Sequence, residues 1–318
     1  MDRSPTATLL GRGTQALGTV VGLTAGVRAV RWLWKYTWLP RRPLGHRLAD
    51  RYGAGSWALV TGAGDGLGKA FAQELGECGF NLVLVSRTQA KLDRLRDALT
   101  PLGISVRVVS ADLSDTSDAT YELVAAAMRG IDLSLVVNCV GVTVHGRYAD
   151  IPAATVRGLI AVNVTTTAMI ARTTLPALLD HATTTGRRAG LLDVGSIVGR
   201  FPWPGTQLYG ASKAFVDHLT VPLGYEYRDR LDVLSFQPTV MATAMAAGTE
   251  PAAITISPQA AAHAALSHLG RYRASHGHWR HALAAALFRL LPTGLRNRVL
   301  FGQALAMADA ERAKVRSQ

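Results

Sequence analysis

Short apolar runs recur through the middle of the chain, at residues 57–60, 81–85, 104–109, 133–137, 191–194 and 233–236. The segments between them carry apolar residues at helical spacing. Strand and helix in alternation predict βαβ units and therefore one doubly wound α/β domain around a parallel sheet. The connecting segments are too short to hold a second domain, and no internal repeat of fixed period interrupts the series.

Before the first run the pattern differs. Residues 13–27 are uncharged, a stretch of 15 residues. As a helix it would reach about 22 Å, short of the roughly 30 Å hydrocarbon core of a bilayer. Arg28, Arg31 and Lys35 follow on one helical face, where their stems can snorkel, and Trp32, Trp34, Tyr36 and Trp38 form the aromatic cluster of a membrane interface. Pro40, Arg41, Arg42 and Pro43 end the element. A clear small-residue cleavage site is lacking, which favours a retained, membrane-associated anchor over a signal peptide. Positive residues are denser after the run than before it, so the domain that follows is expected on the cytosolic side. At the other end, residues 282–291 and 295–307 are apolar but interrupted by Arg289, Arg296 and Arg298. They read equally as packed terminal helices or as a second contact with a membrane surface. The expected organisation is an anchor and basic linker at 1–55, a catalytic domain at 56–270 and a basic helical extension at 271–318.

Charge sharpens this picture. The chain carries a net charge of +12, with nine Lys/Arg against two acidic residues in 1–55 and the same balance in 271–318. The body between is slightly negative. Two basic flanks on such a body suit anionic lipid headgroups and argue against nucleic acid as a partner. A hydrophobic content of 48% is enough for one large core. Cys78 and Cys139 are the two cysteines, both in segments that read as core, which fits a reducing compartment without a disulfide framework. His276, His278 and His281 cluster near the end, but no cysteine or carboxylate stands near them and no metal is expected.

Candidate chemistry starts after the first strand, at Thr61-Gly62-Ala63-Gly64-Asp65-Gly66-Leu67-Gly68, which runs into a helix. Gly62 permits a tight turn, Gly66 lets the backbone approach a pyrophosphate and Gly68 allows helix and strand to pack closely, while Gly64, Asp65 and Leu67 complete the dinucleotide cradle. The phosphates would sit at the positive end of the helix dipole. That context makes the domain Rossmann-type. At the end of the second strand, where a carboxylate would bond the ribose of NAD, the chain reads Ser86-Arg87. A guanidinium attracts a 2′-phosphate, so the expected cofactor is NADPH/NADP. Asp112 and Leu113 are expected at the adenine, and Asn138 to Gly141 beside the cofactor crevice.

Tyr209 and Lys213 lie four residues apart on one helical face. A phenol with an ordinary pKa of about 10 is a poor acid or base at neutrality, and an adjacent cation is expected to lower it. Lys213 can also bond the nicotinamide ribose. Ser196, just after the fifth strand, is placed to hold a substrate oxygen beside the phenol, and Asn163 to position a water in a proton relay.

The ordered set of glycine loop, Asn163, Ser196, Tyr209 and Lys213 resembles the short-chain dehydrogenase/reductase family over roughly residues 56–270. More narrowly, the stretch 55–61, Leu84-Val85-Ser86-Arg87 with Lys91-Leu92, Leu175-Pro176 and 209–217 resemble the branch of very-long-chain 3-oxoacyl-CoA reductases and 17-beta-hydroxysteroid dehydrogenases. Cys139, Gly195 and Pro238-Thr239 depart from that pattern without touching a proton-transfer group. The resemblance implies an endoplasmic-reticulum enzyme, facing the cytosol, that reduces the 3-keto group of a long acyl-CoA in fatty-acid elongation. It also implies a homodimer in the company of other elongation enzymes and a substrate loop at 241–256. The same residues would serve a ketosteroid oxidoreductase, and a catalytically idle, membrane-attached scaffold is the reading outside enzymology.

Overall fold

The computed structural model describes residues 23–243 and 253–316. Much of the uncharged run at 13–27 and the middle of the 241–256 segment lie outside the described residues.

Seven strands form one parallel sheet in the order β3-β2-β1-β4-β5-β6-β7. They are β1 Trp57–Thr61, β2 Asn81–Ser86, β3 Val106–Ser110, β4 Leu133–Asn138, β5 Ala189–Val194, β6 Leu231–Phe236 and β7 Ala274–Ser275. Six match the apolar runs. The seventh, two residues long, pairs with Ser235 and Phe236 and extends the sheet past residue 270. The chain winds outward from β1 through β2 to β3, then returns beside β1 as β4 and winds the other way. The crevice for a ligand opens at that reversal, beyond the carboxyl ends of β1 and β4.

The helices are α1 Gly45–Tyr52, α2 Gly66–Glu77, α3 Gln89–Leu99, α4 Asp118–Ala127, α5 Ala153–Ile160, α6 Thr166–Thr185, α7 Gln207–Glu226, α8 Pro258–His268, α9 Trp279–Leu290 and α10 Thr293–Arg316. Strand side chains alternate between two helical layers, which is why the strands read as unbroken apolar runs. On β1, Ala58 and Val60 join the layer containing Phe71 of α2 and Leu266 of α8, whereas Leu59 joins that of Val124 in α4 and Ile170 in α6. Phe71 meets Phe236 edge to face at 6.5 Å, and both are fully buried. Truncating either to alanine would cost about 3–5 kcal/mol.

Helix α1, within the stretch read as a linker, is built into this core: Leu48 and Tyr52 are completely buried. At its end, Arg51 donates to Asp232 at 2.9 Å, Arg188 at 2.7 Å and the Tyr52 hydroxyl at 3.0 Å, so one carboxylate at the start of β6 gathers α1 and the start of β5. Helices α5 and α6 join through a π turn at Ala161–Thr165 into a continuous helix, Ala153–Thr185. Its length and mean hydropathy of 1.3 would suffice to cross a membrane, but Ile170, Ala171 and Leu178 bind it to the sheet as a core helix. By contrast, the helical residues 23–33 expose Leu23, Val27, Val30 and Leu33, with Leu23 69% exposed.

Candidate active site

The glycine loop leaves β1 at Thr61 and enters α2 at Gly66. Gly62 adopts φ +66°, and a Cβ there would meet the Val140 backbone at 3.2 Å, so the loops after β1 and β4 touch at the crevice. Gly66 adopts φ +50°. Asp65 caps α2 by accepting from the Gly66 N–H at 2.8 Å and is held from outside by Lys91 Nζ at 2.7 Å. Those two partners, Lys91 first, hold its carboxyl below the usual range. Leu67 is buried beneath the loop. A Cβ at Gly64 would stand 2.8 Å from Ser86 Oγ, so the loop and the end of β2 line the same space. Arg87 follows, exposed, and its charge reaches the Asp112 carboxylate. A backbone cradle with a cation at its rim fits a nicotinamide dinucleotide.

Three of the residues expected at the cofactor also bond within the protein. Asp112 turns its carboxylate onto its own loop, accepting from Ser114 N at 3.0 Å and Ser114 Oγ at 2.8 Å. Leu113 buries its side chain in the core and offers its carbonyl to Thr166. Asn138 is spent on protein partners: its Oδ1 accepts from Thr61 Oγ1 at 3.0 Å and its Nδ2 donates to the Thr167 carbonyl at 3.3 Å. Gly141 faces the chemistry, because a Cβ there would meet Lys213 Nζ at 3.3 Å and Asn163 Oδ1 at 3.5 Å.

The four residues expected to serve proton transfer come from three neighbouring elements. Ser196 follows β5, Tyr209 and Lys213 sit in the first turns of α7, and Asn163 occupies the π turn. Lys213 is buried with Nζ 5.8 Å from the centre of the Tyr209 ring and donating to the Val194 carbonyl at 2.7 Å. Asn163 is a brace. Its amide accepts from Val142 N–H and donates to Val142 O, both at 2.8 Å, and donates to Ser212 at 3.0 Å, which ties the loop after β4 to the catalytic helix. Its side chain thus bonds both the Val142 backbone and the Ser212 hydroxyl.

The phenol also corrects an expectation. Burial raises the Tyr209 pKa above its ordinary value of 10.0, and hydrogen bonding from Ser196 only partly opposes that. Lys213 has its own pKa lowered to about 8, chiefly by burial, and its ammonium is directed at Val194. Burial and the cation thus act on the phenol in opposite senses, and burial is the larger effect.

Two carboxylates stand behind Lys213, one of them, Asp217, at the end of the stretch 209–217. Asp193 on β5 is pushed up to about 6 by burial, against hydrogen bonds from Thr220 and Asn138. Asp217, one helical turn beyond Lys213, accepts from Gln237 Nε2 at 2.9 Å and from Ser235, joining α7 to the end of β6. The departure at Gly195 follows, since a Cβ there would lie 3.1 Å from Asp217 Oδ1 and 3.3 Å from Ser235 Oγ. Cys139 is no nucleophile: burial drives its thiol up to about 12. Of the three histidines, His276 and His281 bond the carbonyls of Gln237 at 2.9 Å and Val240 at 3.1 Å, while His278 caps α9.

Above Tyr209 lies an apolar group of Ile197, Val198, Phe201, Trp203, Ala285 and Phe288. Its outer members come from the tail: Trp203 stacks at 5.9 Å on Phe288 and donates to the Leu300 carbonyl at 3.0 Å. The terminal helices are thus packed over the loop between Ser196 and Tyr209, while α9 exposes Leu283, Leu287 and Leu290 on its other side, Leu290 at 80%.

The family model of the short chain dehydrogenases matches residues 56–253. A very-long-chain 3-oxoacyl-CoA reductase from Anas platyrhynchos is 32% identical, over 76% of this chain and 77% of that protein. One from Aspergillus fumigatus is 31% identical over 95% and 90%. Among solved structures, a short-chain dehydrogenase from Sphingobium yanoikuyae in complex with NADPH superposes with a TM-score of 0.59 at 28% identity, covering 67% of this chain and 84% of that one.

Proposed function

The chain belongs to the short-chain dehydrogenase family, and we propose that it reduces the 3-keto group of long or very-long-chain 3-oxoacyl-CoA with NADPH, in fatty-acid elongation. The observation that carries the reading is Tyr209 beside Lys213 within an apolar group, in a chain similar along most of its length to reductases of that name.

A bound nicotinamide supplies the hydride that reaches C3 of the substrate. Ser196 holds the keto oxygen, and the Tyr209 hydroxyl donates its proton to that oxygen as negative charge develops there. The phenol carries its proton at neutral pH, so the acid is loaded for this direction. The resulting phenolate lies near the Lys213 ammonium, whose charge stabilises it. The product is a 3-hydroxyacyl-CoA. NADPH is preferred over NADH because Arg87 can pair with a 2′-phosphate and no carboxylate stands at the end of β2. The exposed apolar residues of 23–33 support a reading in which the enzyme sits at the endoplasmic-reticulum membrane with its domain in the cytosol. Comparing kcat/KM for long 3-oxoacyl-CoAs and ketosteroids tests the substrate.

A further inference from the structure

Away from the catalytic crevice, a cavity of about 580 Å³ opens where α1 meets the end of α8. Arg42, His46, Arg47 and Arg271 line it, opposed by a single carboxylate, Asp50. Leu39 and Pro43 supply an apolar wall. The cavity also receives the start of α1, which has neither a side-chain cap nor an acidic residue in its first turn. Its first N–H groups have no intrahelical partner and present the positive end of the helix dipole. Three guanidinium forks and the first turn of α1 line one space.

The cations are held in different ways. Arg47 is anchored, donating to the Leu269 carbonyl at 3.1 Å and to that of Leu266. Arg42 is positioned by stacking, its guanidinium 5.1 Å from the Trp34 ring. Arg271 is exposed, and neither it nor Arg42 has a carboxylate partner among the described residues. Structural arginines at a protein surface ordinarily find such partners or face open water. Here they surround a concavity shaped by backbone, which is the donor set for a phosphate ester.

The position indicates the source of that phosphate. The cavity begins one residue after the exposed Trp38, at the foot of the helical segment that exposes Leu23, Val27, Val30 and Leu33. Where that apolar face enters a bilayer, Trp34 and Trp38 lie at headgroup depth and the cavity directly beneath. We propose that this cavity binds the phosphate headgroup of an anionic phospholipid, fixing the angle at which the domain leaves its anchor. The proposal is independent of the reductase chemistry.

The test uses full-length protein in detergent, with native mass spectrometry after addition of dioleoyl phosphatidic acid and dioleoyl phosphatidylcholine in equal amounts. Wild type is expected to retain one phosphatidic acid in preference to phosphatidylcholine. The double substitution Arg42→Gln/Arg271→Gln should weaken that preference by about tenfold or more, the worth of one charge-assisted hydrogen bond. Arg47 is left intact because it also holds α8. The control Arg289→Gln/Arg298→Gln removes equal charge elsewhere and should leave the preference unchanged. Equal losses in both double variants would reduce the effect to bulk charge and overturn the site. Displacement of the lipid by inorganic phosphate alone would assign the cavity to free phosphate, and no headgroup preference in wild type would also refute the proposal.

Discussion

A methyl group on Gly68 would stand 2.1 Å from the carbonyl oxygen of Gly62, so the first turn of α2 rests directly on the loop that leaves β1. The contact is with backbone and cannot be relieved by a rotamer change. Gly68→Ala should destabilise the fold by about 1–3 kcal/mol, as overpacking does, and raise KM for the cofactor as the loop is displaced. Urea midpoints and cofactor titration check both effects. Wild-type values in both would mean that the loop has room the structure does not show.

Tyr209→Phe keeps the ring and its apolar neighbours while removing the acid. Turnover should fall at least about a hundredfold, the usual contribution of general acid catalysis, with stability and cofactor affinity nearly unchanged. Activity within a few-fold of wild type would transfer the proton to another group.

Arg87→Asp replaces attraction with repulsion at the expected position of the 2′-phosphate. The ratio of kcat/KM for NADPH to that for NADH should reverse. An unchanged ratio would mean that Arg87 points only to solvent.

Asp193 makes stability depend on pH. Burial lifts its carboxyl from an ordinary 3.8 to about 6. The folded state therefore binds this proton more tightly than the unfolded chain, and stability falls as pH rises through that window. The loss is on the order of 2–3 kcal/mol and is complete above the folded pKa. Asp193→Asn should flatten the decline, read from urea midpoints at steps across the window. An identical slope in the variant would place the titration elsewhere.

Much of this architecture is legible in the residues themselves. Strands buried on both faces announce themselves as apolar runs, and the glycine loop and the Tyr209/Lys213 pair carry their chemistry in their spacing. What escapes the pattern is set by tertiary packing. Strand β7 is too short for a periodic signal and exists because Ser235 and Phe236 leave an edge to pair. Helix α1 looks like a charged linker because Arg47 and Arg51 dominate its composition, although Leu48 and Tyr52 turn inward. Asp193 belongs to no motif and Asp217 only closes the stretch 209–217, so burial behind Lys213 is what gives them a part. The phenol pKa goes astray for the same reason: spacing brings Lys213 near, but desolvation and the Val194 carbonyl decide the balance.

The central claim is tested most directly by steady-state kinetics of purified full-length protein, following NADPH oxidation with a long-chain 3-oxoacyl-CoA and with a C17 ketosteroid. The account predicts a higher kcat/KM for the acyl-CoA, because the chain is similar along most of its length to reductases of that substrate class. A higher kcat/KM for the ketosteroid would contradict it.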